Sequence, residues 1–256
     1  MKDYPNNFIK FLGTAGARFV MIRQLRKSGG IWIRSGRTNV LVDPGPGSLV
    51  ACASSRPRLD ASTLDAIILT HRHLDHSGDV NVMIEAMTEG GFKKRGILFC
   101  PRDALDGDPV VLRYLRAFPA RIQMLRAGRS YSCGDLAFES SRRHLHPVET
   151  YGLRFSLGGK KVGYMVDTGY SPGLLRFYRA DLLIIGVVLV QPRPEIFHLS
   201  LPEVKTILQR VKPGEAVLTH FGLRMLAAKP EKLAREMAEQ TGVKVVAARD
   251  GMVIGV

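Results

Sequence analysis

Short apolar runs alternate with longer mixed segments along the chain, and their spacing predicts the elements. Ile9–Leu12 reads as a first short strand, closed by Gly13. Gly30–Arg34 and Thr38–Val42 are apolar and β-branched, with Ser35-Gly36-Arg37 between them, which predicts a hairpin. Asp43-Pro44-Gly45-Pro46-Gly47 must be a loop, because its prolines and glycines forbid regular structure. Leu64–Thr70 is a strand of the buried kind, Ile67-Ile68-Leu69 being continuously apolar. Val80, Met83, Ile84 and Met87 lie at helical spacing and predict a helix over Asp79–Thr88, with Asp79 as its N-cap. A strand at Ile97–Cys100 and a helix at Pro109–Ala117 follow.

From Arg121 to Val166 the pattern is strands: Ile122–Leu125, Leu136–Ser140, Tyr151–Leu157 and Lys161–Val166, with a hairpin turn at Gly158-Gly159. A short helix at Pro172–Tyr178 and a buried strand at Leu182–Val190 come next. Pro202–Val211 is a helix that Ser200 can cap, Ala216–Thr219 a strand, and a further helix lies within Pro230–Gln240. Lys244–Ala248 and Met252–Val256 read as a terminal hairpin across Asp250-Gly251. Strand-rich stretches interrupted by helices in both halves suggest sheets packed on each other with helices outside.

Hydrophobic residues make up 45% of the 256, enough for a substantial core. With no linker, composition shift or internal repeat, residues 1–256 read as one domain. The opening Met1-Lys2-Asp3-Tyr4-Pro5-Asn6-Asn7 has no apolar stretch of the signal-peptide kind, and Leu182–Val190 is too short to span a bilayer. A cytoplasmic protein without membrane attachment is expected. Cys52, Cys100 and Cys133 stand far apart, and an odd count argues against a disulfide framework. The net charge is +14, carried by 25 Arg and 12 Lys that are scattered rather than clustered, with short groups at Lys93-Lys94-Arg95 and Arg142-Arg143. This is either a solvated basic surface or a preference for anionic substrates, RNA included.

The strongest chemical signal is Thr70-His71-Arg72-His73-Leu74-Asp75-His76, directly after a buried strand. On extended chain alternate residues share a face, so His71 and His73 can point at one metal ion. Asp75 and His76 follow where the chain turns toward the helix and can serve a second. Imidazole and carboxylate suit zinc, manganese or iron.

H-x-H-x-D-H after a strand resembles the signature of the metallo-β-lactamase superfamily. The resemblance implies an α+β fold, a four-layer αββα sandwich with its metal site at one edge of the two sheets. It also implies later ligands. A third His for the first ion is expected after Leu136–Ser140, where His144 and His146 both stand. His146, in His146-Pro147-Val148-Glu149-Thr150-Tyr151-Gly152, is similar to the ligand segment of the ribonuclease Z-like branch and is favoured; His144 is then a partly exposed strand residue. Asp167 in Tyr164-Met165-Val166-Asp167-Thr168-Gly169 fits the bridging carboxylate, and His220 in Val217-Leu218-Thr219-His220-Phe221-Gly222 the last ligand. By this analogy His71, His73 and His146 hold one divalent ion, Asp75, His76 and His220 the other, and Asp167 bridges. Zinc is favoured, with manganese or iron as alternatives. No Cys sits among the motifs, unlike the β-lactamases with a Cys ligand. His73 stands where flavodiiron oxygen reductases have Glu.

His198-Leu199-Ser200 precedes His220 by 22 residues. The phosphodiesterase branch, ribonuclease Z and the cyclic-phosphate phosphodiesterases included, carries a similar His that helps protonate the leaving group. Phe11-Leu12-Gly13-Thr14-Ala15-Gly16 resembles the glycine-rich start of that branch, and Asp43 resembles a family aspartate near the site, although a simple turn role explains it equally. Ribonuclease Z grips tRNA with a long arm between its third His and bridging Asp. Only 21 residues separate His146 from Asp167 here, which leaves no room for one.

The resemblance therefore implies a phosphodiesterase acting on a small or nucleotide-like phosphodiester. A water between the ions is the nucleophile, Asp75 its orienting group or proton acceptor, and His198 the acid. Two alternatives stand beside it. One is a thioester or lactone hydrolase like glyoxalase II, whose thiolate leaving group needs no acid. The other is a non-catalytic nucleic-acid-binding protein that kept the fold. RNA as a partner and a homo-oligomer are both compatible with the sequence.

Overall fold

A computed structural model describes residues 4–256. Its strands are β1 (Asn7–Phe11), β2 (Ile31–Ser35), β3 (Thr38–Val42), β4 (Ala66–Ile68), β5 (Ile97–Cys100), β6 (Arg121–Met124), β7 (Ser130–Cys133), β8 (Leu136–Arg143), β9 (Tyr151–Leu157), β10 (Lys160–Met165), β11 (Leu182–Gly186), β12 (Glu215–Thr219), β13 (Lys244–Ala247) and β14 (Val253–Gly255). They form two sheets, ordered β14-β1-β2-β3-β4-β5-β6 and β13-β12-β11-β10-β9-β8-β7.

Period-two alternation decides what each face buries. On β1, Ile9 and Phe11 enter the core between the sheets, together with Ile33, Val40, Phe138, Phe155 and Ile184. Phe8 and Leu12 point the other way, into an outer layer with Trp32, Leu41 and Ile67. That layer is covered by α2 (Ser48–Ala53) and α4 (Val80–Met87), whose Val80, Met83, Ile84 and Met87 are buried as their spacing requires. The second sheet packs its outer face on α5 (Leu201–Val211) and α7 (Pro230–Thr241) through Val204, Ile207, Leu208, Ala234 and Met237. The result is a four-layer αββα sandwich, the α+β architecture expected. Shorter helices are α1 (Ala17–Ile22), α3 (Leu74–Ser77) and α6 (Leu223–Ala227). Among the described residues no helix is long and apolar enough to cross a membrane. The three cysteines are free and buried.

The parallel runs matter most for function. β3 pairs parallel with β4, β10 with β11, and β11 with β12. The carboxyl ends of these strands lie at one edge of the sandwich, where open α/β sheets form crevices for ligands.

Several sequence expectations require correction. The terminal segments do not form a hairpin: β13 joins β12 in parallel, while β14 joins β1 antiparallel. The turn at Asp250-Gly251 forms, but it carries the chain from one sheet to the other. Ala248 N–H donates to Leu218 (2.8 Å), and Gly251 N–H to Phe11 (2.7 Å). The segment 109–117 is helical only as a 3₁₀ turn over Arg113–Ala117. The Asn81 side chain donates to the Val110 carbonyl and accepts from Leu112 N–H, both at 2.9 Å, and so competes with helix hydrogen bonds. Pro172–Tyr178 likewise shrinks to a 3₁₀ turn at Pro172–Leu174, and the strand over Leu182–Val190 ends at Gly186. Asp79 occupies the N-cap position of α4 without capping it; its carboxylate accepts Leu49 N–H at the start of α2 instead (3.0 Å). Strand β7 and helices α1, α2 and α6 were not legible as elements.

Candidate metal centre

The contiguous His-rich motif is split by a change of backbone. His71 lies on extended chain just past β4, and His73 is the N-cap of α3, with φ −61° and ψ 145°. The extended part keeps His71 and His73 together, and the first turn of α3 swings Asp75 and His76 away from them. His146 comes from the loop between β8 and β9, Asp167 follows β10, and His220 follows β12. Thr70, ahead of His71, accepts Tyr151 N–H (3.2 Å) and so joins this edge of the first sheet to the second.

Two groups of donor atoms result. His71, His73, His146 and Asp167 form one; Asp75, His76, His220 and Asp167 form the other. Within each, the atoms lie within 4.8 Å of one another, and Asp167 belongs to both. Asp167 Oδ2 lies 3.6 Å from His71 Nε2 and 3.4 Å from His76 Nε2, while its Oδ1 lies 3.2 Å from His220 Nδ1.

Surrounding hydrogen bonds assign the histidine tautomers. Thr70 Oγ1 donates to Asp43 Oδ2 (2.8 Å), so it accepts from His71 Nδ1–H (3.1 Å). His76 Nδ1–H donates to Asp43 Oδ2 (3.1 Å), and His146 Nδ1–H to the Phe197 carbonyl (3.1 Å). Each of these rings is therefore fixed from behind, with Nε2 turned inward. His71 Nε2 is fully buried and has no hydrogen-bond partner. His76 Nε2 stands 2.9 Å from His220 Nε2, and His146 Nε2 stands 3.0 Å from His73 Nδ1. Inward nitrogen lone pairs this close, around a shared carboxylate, are the donor set a cation satisfies. The residues present therefore fit a pair of metal ions.

The charges are arranged accordingly. Burial, with neighbouring His76 adding, holds His71 well below its usual pKa, and burial also lowers His73. Burial takes His146 down to about 4. Against burial, His220, His198 and His76 hold Asp167 well below the usual carboxylate range, and His76 and His220 do the same for Asp75. Burial also works against a charge on His76, but Asp75, Asp167 and Asp43 outweigh it and raise its pKa.

Asp43 was only ambiguous in sequence. Its backbone, at φ +53°, aims the carboxylate under the motif, where it holds Thr70 N–H (2.7 Å), the Thr70 hydroxyl and His76 Nδ1. Tyr164 Oη lies 3.4 Å from the same oxygen. Asp43→Ala should lower metal affinity by about 10–100-fold while leaving every direct donor in place. Metal content after dialysis against graded chelator checks this, and retention equal to wild type would reduce Asp43 to a turn residue.

His144 is not the partly exposed strand residue expected. It is 3% exposed and sits behind Asp167, outside both donor groups. Its Nδ1–H donates to the Asp167 carbonyl (3.0 Å), leaving Nε2 to accept from Tyr178 Oη (2.5 Å). Gly152 allows this approach, since a Cβ there would collide with the Tyr178 hydroxyl and His144 Nε2. Burial holds His144 near pKa 4. The unfolded chain, with a His pKa of about 6.5, takes up the proton first as pH falls. The stability from neutral His144 is therefore whole above pH ~6.5 and is lost progressively toward pH ~4, by roughly 3 kcal/mol. Urea unfolding at fixed metal content should show that loss, and His144→Gln should flatten it. An unchanged pH slope in the variant would exclude His144 as its source.

His198 lies on the segment between β11 and α5. Its Nδ1 is 3.7 Å from Asp167 Oδ2, and its ring centroid is 5.3 Å from that of His146. Ser200 begins α5, with the Glu203 carboxylate accepting its N–H (2.8 Å). Ser200 being a helix cap therefore does not draw His198 away from the centre. The opening glycine-rich segment also reaches it: Gly16 N–H donates to Phe221 (3.0 Å), and a Cβ at Gly16 would strike the His220 carbonyl. The supports at Thr70, Tyr178 and the Phe197 carbonyl carry no spacing signal in the sequence.

The sequence pattern of the family described as "Beta-lactamase superfamily domain" matches residues 38–221. The chain belongs to the metallo-β-lactamase superfamily. Among solved members of that fold, the metallo-beta-lactamase fold protein YhfI from Bacillus subtilis superposes with a TM-score of 0.76 at 23% identity, covering 98% of this chain and 99% of its own. In a sequence comparison YhfI, named a probable metallo-hydrolase, is 27% identical over 197 residues, 75% of this chain and 79% of its own. A diphosphatase from the PhnP family gives a TM-score of 0.70 at 18% identity, with 98% and 97% covered. The short form of human tRNase Z gives 0.72 at 20% identity, with 97% and 99% covered.

Proposed function

We propose that this superfamily member is a metal-dependent hydrolase, specifically a phosphodiesterase with two divalent ions. His71, His73 and His146 hold one ion, Asp75, His76 and His220 hold the other, and Asp167 is shared. The observation that carries this reading is the meeting of both donor groups at Asp167, with the buried His71 Nε2 left without a hydrogen-bond partner. Zinc suits the nitrogen-rich set best, and manganese or iron accept the same donors. When bound, such ions bring the pKa of a water toward neutrality and offset charge on the substrate's oxygens.

The chain's own groups do the rest. Asp75 is ionised at neutral pH, is partly open to solvent, and faces His220 Nε2 at 3.3 Å. It orients the nucleophile or accepts its proton. His198 stands at the rim and donates a proton to the leaving oxygen, which a phosphodiester needs because an alkoxide leaves poorly. Burial outweighs Asp167 and lowers the His198 pKa; an arriving anionic substrate acts in the same direction as Asp167 and raises it. Beside His73 opens a cavity of about 460 Å³ lined by Arg72, Leu74, Pro109, Val110 and Val148, which can take the organic part of a small substrate. The 21 residues from His146 to Asp167 are used by β9, β10 and their connections, which favours a small or nucleotide-like phosphodiester over a folded RNA. A basic chain favours anionic substrates. Two structural neighbours, a diphosphatase and a tRNase Z, are consistent with phosphorus chemistry on this fold.

Hydrolysis of bis(p-nitrophenyl) phosphate, with metal content measured on the same sample, tests the reading. Turnover dependent on bound metal supports it. A full metal site that cleaves thioesters or lactones and no phosphodiester would overturn it.

A further inference from the structure

Lys10 breaks the pattern of its strand. Between Phe8 and Leu12, on the face of β1 that packs the apolar outer layer, the alternation calls for a hydrophobic side chain. A lysine stands there instead and is 4% exposed. A buried ammonium is costly unless it is paired, and it carries three donors. One of them reaches Tyr4 Oη at 2.5 Å, with the Tyr4 ring face 5.0 Å away. Among the described residues Lys10 forms no ion pair.

Lys10 also lines a cavity of about 250 Å³, together with Lys27 and Arg56. Neither of those head groups is engaged by an ion pair or side-chain hydrogen bond among the described residues. The one carboxylate in the wall, Asp250, is already bound: Oδ1 accepts from Thr14 Oγ1 (2.7 Å) and Oδ2 from Lys27 N–H (2.8 Å). The C-terminal end of α2 forms another wall, and free carbonyls there would repel an anion. They are not free. Val50 accepts from Ser54 N–H and Oγ, Ala51 from Ser55 Oγ, and Cys52 from Ser55 and Leu59 N–H. Three cations thus face one satisfied carboxylate around a cavity that shares no residue with either metal donor group.

We propose that this cavity binds a tetrahedral oxyanion, a phosphate group, at a site separate from the metal centre, with Lys10 as its buried anchor. Lys27 and Arg56 close on it from the surface. The phosphate is either free inorganic phosphate or the phosphate of a nucleotide, and the two sources share this chemistry.

Metal-loaded crystals soaked in tungstate, a heavy tetrahedral oxyanion, should show anomalous density within hydrogen-bond distance of Lys10 Nζ. In solution, millimolar inorganic phosphate and AMP are compared by the rise in melting temperature. Lys10→Met should weaken that response by at least about tenfold in ligand concentration. Metal content and bis(p-nitrophenyl) phosphate turnover should stay at wild-type values. Arg56→Gln, at an exposed position, carries the same expectation should Lys10→Met fold poorly. A similar response to both ligands identifies free phosphate as sufficient; a markedly tighter response to AMP identifies a nucleotide. Water alone in the cavity at high tungstate, or phosphate binding unchanged in both variants, would overturn the proposal.

Discussion

Asp167→Asn should abolish function more completely than any other single conservative change. The substitution keeps the size of the side chain and removes its charge from the point where both donor groups meet. Asp167 Oδ2 lies within 3.6 Å of His71 Nε2 and within 3.4 Å of His76 Nε2, so no other residue can share the load. The amide also presents an N–H₂ toward inward imidazole nitrogens that need a cation, and its two neutral N–H donors do not replace a charge shared by both groups. Metal content should fall from about two ions per chain, and turnover on bis(p-nitrophenyl) phosphate by at least about a thousandfold. The backbone carbonyl of Asp167 keeps its bond from His144, so the fold around it should persist in circular dichroism. An Asp167→Asn protein with both ions bound and near-normal turnover would remove Asp167 as the shared ligand and break the dinuclear reading.

The legibility of the centre follows from how each piece is encoded. His71, His73, Asp75 and His76 fall within six residues, and one change from extended chain to helix sorts them into two groups, so spacing alone pointed to them. Asp167 and His220 end buried strands of recognisable pattern and could be matched by resemblance. His144 and His146 could not be separated by alternation, because the register between β8 and β9 shifts between Ser140 and Arg143 and the chain then leaves the sheet. The role of Asp43 depends on a positive φ and on a motif 27 residues away, neither of which a local pattern reveals. The same limit explains the terminal segments. A turn at Asp250-Gly251 is local information, but the partner of each flanking strand is a non-local choice. β14 finds β1 at the other end of the chain, and β13 finds β12 in the second sheet. The α4, α5 and α7 faces and the between-sheet core depend on periodicity alone, with one exception. Lys10 violates the alternation that the rest of β1 obeys, and such violations concentrate where a chain binds something.

His198→Ala separates chemistry from metal binding. His198 belongs to neither donor group, and its contact with Asp167 at 3.7 Å is too long for a hydrogen bond. Removing the imidazole should therefore leave about two ions per chain. If it protonates the leaving oxygen, turnover of a poorly leaving alkyl phosphodiester should fall by about 10²–10⁴-fold. Bis(p-nitrophenyl) phosphate, whose phenolate leaves readily, should suffer less. The dependence of the defect on leaving-group pKa is the decisive readout, because a merely structural role would slow all substrates equally. A uniform loss would mean that His198 positions substrate through its place beside His146 and not as an acid. Normal turnover on every phosphodiester would remove it from the mechanism. The centre would then suit a substrate whose leaving group needs no proton, such as a thioester, and the phosphodiesterase reading would lose the residue that sets it apart from other hydrolases sharing these ligands.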